Sequence, residues 1–68
     1  MKNLNLTNLR RKNKLSISSM ASAIGISASY YEKIENGVRT PSYNFLIKFK
    51  KAFPHENAEQ IFLSQNNT

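Results

Sequence analysis

Cysteine, tryptophan and aspartate are missing from this chain of 68 residues, and glycine and proline occur only twice each. Without cysteine there is no disulfide framework and no thiolate metal site, and the single histidine, His55, cannot make a zinc site alone. Such a composition fits a reducing cytoplasm. No apolar run approaches membrane-spanning length, and Met1-Lys2-Asn3 is not followed by the apolar core of a signal peptide. Nucleophile–base arrangements, phosphate-cradling glycine loops and metal-ligand spacings are also lacking, so neither an enzyme nor a cofactor is expected. At this length one domain over residues 1–68 with a small core is expected, its stability marginal or helped by a partner.

Acidic residues are the scarcest functional class: four glutamates face ten lysines and arginines, for a net charge of +6. Four of the positives lie together at Arg10, Arg11, Lys12 and Lys14, and a second group is Lys48, Lys50 and Lys51, with Lys33 and Arg39 between. This balance favours a polyanion, because phosphate contacts supply most non-specific DNA affinity. A lysine-rich solvated surface explains the charge equally well, so the decision falls to the pattern of apolar residues.

That pattern is clearest over residues 15–37. Apolar residues fall at Met20, Ala21 and Ile24, then at Tyr31 and Ile34, so within each group one helical face is buried. Gly25 stands where the first of these helices ends and positive φ is needed. Ser27, two residues on, can cap the second, and Ala21 is small where the two helices must cross. The result is a helix-turn-helix over about residues 16–36. Elsewhere the punctuation predicts a first helix over residues 4–13 with Leu6 and Leu9 inward. A fourth, capped by Ser42 and broken by Pro54, would bury Phe45, Leu46, Phe49 and Phe53. A short fifth helix is expected over about residues 56–63 with Ile61 and Phe62 inward, and residues 64–68 read as a polar tail. The fold class is therefore all-α, in five helical pieces with little room for strands.

The chain resembles the Cro/C1-type, or lambda-repressor-like, helix-turn-helix family over nearly its whole length. The residues that carry the resemblance are Leu15-Ser16, Met20-Ala21, Ile24-Gly25-Ile26-Ser27, Tyr30, Ile34-Glu35-Asn36-Gly37 and Arg39-Thr40-Pro41-Ser42. The closing Ile61-Phe62-Leu63 is similar to the last-helix signature of many Gram-positive members. Membership implies that the five helices form a compact bundle, with an ion pair between Arg10 and Glu35 that braces the first helix against the third. Glu32 and Glu35, three apart on one helix, then lose their value as an acid pair for catalysis.

Family geometry places the exposed start of the third helix against base edges, here Ala28, Ser29 and Lys33, with Tyr30 beside them. Lys33 can donate to guanine, Ser29 can donate or accept, and Ala28 offers only a methyl contact. Solvation alone would also account for Lys33, and helix initiation for Ser29. Phosphate-contact candidates are Asn36, Arg39, Thr40, Ser42 and Tyr43 around the third loop and the head of the fourth helix, with Arg11 from the basic group. One departure stands out. Most members carry glutamine at the first position of the second helix, and this chain has Ile17. Ile17, Ala28 and Tyr30 would then form an apolar group on the expected DNA face, a candidate protein interface, unless Ile17 folds back on the core.

The resemblance implies a small transcription regulator of the bacterial host cytoplasm, binding double-stranded operator DNA, with a homodimer on a roughly symmetric site. The small size is similar to the Cro-like partner of a temperate-phage lysis–lysogeny switch in a Gram-positive host. A different class remains open: a modulator or antirepressor that grips a phage repressor protein through the same face and alters its DNA binding. An antitoxin shares the fold, but no toxin-wrapping tail is evident.

Overall fold

The computed structural model describes residues 2–62 and contains α1 (Leu4–Lys12), α2 (Ile17–Ile24), α3 (Ala28–Glu35), α4 (Tyr43–Ala52) and α5 (Ala58–Phe62), with no strand among the described residues. A helix leaves its first amides without intrahelical partners, and a short polar side chain just before the helix satisfies one of them. Each of the five starts uses this device. Asn3 Oδ1 accepts from the Leu6 amide at 2.9 Å, and Ser16 Oγ from the Ser19 amide at 3.0 Å. Ser27 and Ser42 accept from the Tyr30 and Phe45 amides, both at 3.1 Å, and Asn57 Oδ1 accepts from the Gln60 amide at 3.1 Å. Losing such a cap typically costs about 1 kcal/mol.

Gly25 ends α2 in the left-handed region, at φ +94°, and its amide and that of Ile26 both donate to the Ala21 carbonyl. A Cβ at Gly25 would meet no heavy atom within 4 Å, so the backbone conformation, not crowding, calls for glycine. The tight turn folds α3 back against α2, where Ala21 is buried at the crossing.

The core gathers Leu6 and Leu9 of α1, Met20, Ala21 and Ile24 of α2, Tyr31 and Ile34 of α3, Phe45 and Phe49 of α4, and Ala58, Ile61 and Phe62 of α5. Phe62 stands edge-on to Phe45 and to Phe49, with ring centroids 5.5 and 5.1 Å away, and so seats α5 on α4. Asn3 closes the other side: its side-chain amide donates to the Ile61 carbonyl, and its backbone amide donates to the Glu35 carbonyl.

Two expectations shift. Leu46 and Phe53 are half-buried at the edge of the core, flanking the Phe45–Phe49 row that fills it. The fifth helix starts at Ala58, not near residue 56: Pro54, His55 and Glu56 form a turn closed by the Glu56 amide on the Phe53 carbonyl, and Asn57 takes the capping position. The expected end of that helix at Leu63 and the polar tail over 64–68 lie outside the described residues. No helix among the described residues is long and apolar enough to cross a membrane.

Candidate nucleic-acid interface

The orientation of α3 is set from below by a buried carboxylate. Glu35 is 2% exposed, and its two oxygens accept from Arg10 Nε and Nη2, both at 3.0 Å. Arg10 Nη1 donates to the Leu15 carbonyl at 3.0 Å, so one guanidinium binds the ends of α1 and α3 to the chain entering α2. The Tyr31 hydroxyl also donates to Glu35 Oε1. Burial alone would raise the Glu35 pKa, but hydrogen bonds from Arg10, Tyr31 and Thr7 outweigh it and hold the carboxyl below its ordinary value. The same arrangement raises Arg10, chiefly through the Glu35 hydrogen bond, and raises Tyr31, chiefly through burial. Tyr31 was legible only as a core residue; its spacing of four from Glu35 on one helix is the signal that could have paired them.

With Tyr31, Ile34 and Glu35 held inward, Ala28, Ser29, Glu32, Lys33 and Asn36 are left exposed on the opposite side of α3. Of the four residues considered for base contact, Ala28, Ser29 and Lys33 share this outward face. Tyr30 is placed differently. It is half-buried, its ring stands edge-on to Phe45 at 6.1 Å, and its hydroxyl donates to Ser42 Oγ at 3.2 Å and accepts from the Ser42 amide at 3.3 Å. Tyr30 therefore ties α3 to the head of α4.

The loop after α3 folds back on that helix, because the Val38 and Arg39 amides both donate to the Lys33 carbonyl, at 2.9 and 3.2 Å. This brings the Arg39 guanidinium over the Tyr30 ring, 5.8 Å from its centroid, a cation–π placement in which Arg39 stays exposed. At the head of α4 the Phe45 and Leu46 amides bond to Ser42, while those of Tyr43 and Asn44 occupy the first-turn positions that intrahelical bonds do not reach. Arg39, the Tyr43 and Asn44 amides and the positive end of the α4 dipole are thus grouped beside Tyr30, an arrangement suited to a phosphate. Thr40 and Tyr43 are exposed in the same segment, Tyr43 at 77%. Arg11 is exposed in the last turn of α1, and no side-chain hydrogen bond or ion pair joins it to this group among the described residues. Lys48 reaches across from α4 to the Gly25 carbonyl at 3.4 Å, supporting the turn of the helix-turn-helix.

Of the apolar group considered as a protein interface, Ile17 is half-buried against the core, Tyr30 is half-buried as described, and Ala28 is exposed.

A model of the helix-turn-helix domain family matches residues 3–61, and the chain belongs to that family. In this class the second helix of the motif, here α3, is the one that DNA-binding regulators lay in the major groove. Comparison with curated proteins and with solved structures gave no match.

Proposed function

We propose that the protein is a small transcription regulator that binds operator DNA with α3 in the major groove, in the cytoplasm of a bacterial host. The observation that carries this reading is the pairing of an uncovered outward face on α3 with a phosphate-suited group beside it, joined through Tyr30 to Ser42 and Arg39. Lys33 and Ser29 supply the donors that base edges require, and Arg39, Thr40, Asn36 and the head of α4 supply backbone contacts that fix register. The work is binding, not catalysis. A homodimer on a two-fold site gives such a small reader enough contacts, and the resemblance to the Cro/C1-type family supports a role in a phage lysis–lysogeny switch.

A second reading is supported by one observation. Ala28 is exposed at the start of α3, and Ile17 is half-exposed where most family members carry a phosphate-gripping glutamine. A modulator that grips a phage repressor through this face would use both. A mobility-shift titration on the promoter region of its own gene, with and without a repressor encoded beside it, separates the two. A shift by the protein alone supports the regulator. No shift alone, with a changed repressor complex, supports the modulator.

A further inference from the structure

The outward face of α3 carries one carboxylate, Glu32. At about 100° per residue, Ala28, Glu32, Asn36, Ser29 and Lys33 sweep an arc of about 140°, with Glu32 between Ala28 and Asn36 and Lys33 at one edge. All five are exposed. Of the other described carboxylates, Glu35 is buried under Arg10, Glu56 lies 3.8 Å from Lys12, and Glu59 is exposed in the first turn of α5, outside the α3 face. Glu32 makes no ion pair among the described residues.

A free carboxylate within a face that meets a polyanion weakens every complex in which it finds no donor. Phosphates repel it, and so do the exposed acceptors of guanine and thymine. The one base whose major-groove edge offers a donor without a neighbouring acceptor is cytosine, through its N4 amino group. Adenine places its N7 acceptor beside the N6 donor, which suits an amide better than a carboxylate. Lys33, the next residue along and at the edge of the same arc, carries the opposite charge and suits guanine O6 or N7.

We propose that Glu32 is a specificity-determining residue, accepting a hydrogen bond from the N4 amino group of one cytosine in each half-site and rejecting other bases there by repulsion. With Lys33 it makes α3 a reader of a C-and-G-containing core. This inference rests on the DNA-binding reading above and deepens it.

Selection of bound duplexes from a randomised pool, followed by sequencing, tests it with the full-length wild-type protein and with Glu32→Gln and Glu32→Ala. Glu32 is exposed, and a thermal melt of each variant confirms an unchanged fold. The wild type is expected to enrich cytosine at one position of the half-site. Glu32→Gln should move that position to adenine, because glutamine bonds adenine N6 and N7 together. Glu32→Ala should flatten it, with about tenfold less discrimination at that position and tighter binding to random DNA at low salt. If both variants keep the wild-type motif at every position, Glu32 is a bystander and the proposal is overturned while the DNA-binding reading stands. If the wild type enriches no sequence at all, that reading fails and this one fails with it.

Discussion

Glu35 accepts from Arg10 on both of its oxygens, from Nε and from Nη2 at 3.0 Å each, and this two-pronged bond joins the last turn of α1 to the last turn of α3. The helix that presents the candidate DNA face is therefore held by its own far end. Its outward residues are supported by this pair, by the α2 crossing, by the Asn3 amide on the Glu35 carbonyl, and by Tyr30 against Phe45 and Ser42.

Removing Arg10 strands a carboxylate that is 2% exposed. Breaking such a pair from one side typically costs about 3–5 kcal/mol. In a domain this small, Arg10→Ala should lower the melting temperature by more than about 10 °C by circular dichroism. Glu35→Gln, which keeps an acceptor for Arg10 and Tyr31, should be milder. Equal melting temperatures for Arg10→Ala and wild type would mean that α3 is held by packing alone.

The pH dependence follows from the same group. The Glu35 carboxyl is held below its ordinary value in the folded chain, so the unfolded chain binds more protons across the interval between the two values. The stability it contributes is fully present above the unfolded value, near 4.3, and is lost as pH falls through the folded one. Tyr31 acts at the other end. Its raised pKa means that stability holds below the unfolded value, near 10, and falls as pH rises beyond it. Urea unfolding across pH, compared with Glu35→Gln, should show the acid loss in the wild type and a flatter acid limb in the variant. Parallel acid limbs would assign the loss elsewhere.

Much of this architecture was legible because it is local. Ser16, Ser27 and Ser42 announce helix starts three residues before the amides they cap, and Gly25 announces a left-handed stop. Periodicity alone sets the start of α5 two residues early, near residue 56, whereas Asn57 supplies the cap once Pro54 has turned the chain. Leu46 and Phe53 fit the apolar stripe of α4, but no periodicity says which edge of a stripe a neighbouring helix will cover. Tyr30 shows the limit for the site. Its hydroxyl meets Ser42, twelve residues away across a loop, and that closure is a property of the tertiary fold.

Tyr30→Phe isolates that closure. The variant keeps the ring against Phe45 and beneath Arg39 and loses only the hydroxyl shared with Ser42. A net loss of about 0.5–1.5 kcal/mol in stability is expected. DNA affinity should weaken alike for specific and random sequences, because the phosphate-suited group loosens while base readers stay in place. A changed base preference would make Tyr30 itself a reader.

Ile17→Gln separates the two proposed partners. On DNA, a glutamine at the head of α2 adds a neutral hydrogen bond to phosphate, worth about 0.5–1.5 kcal/mol, and operator affinity should rise modestly. On a repressor protein it would remove apolar contact and bury an amide, with roughly 1–3 kcal/mol of affinity lost. If neither affinity responds and the melting temperature falls, Ile17 serves the core against which it already packs.

On DNA, α3 is expected to read bases while the Arg39 segment holds the backbone, and fluorescence anisotropy over a salt series measures both at once. Wild type, Lys33→Ala and Arg39→Ala are titrated with a selected operator and with random duplex. Lys33→Ala should lose about 1–3 kcal/mol of discrimination between the two. Arg39→Ala should weaken both alike and reduce the salt slope by about one. Wild-type binding of equal strength to operator and random DNA, unchanged by Lys33→Ala, would mean that α3 does not read bases.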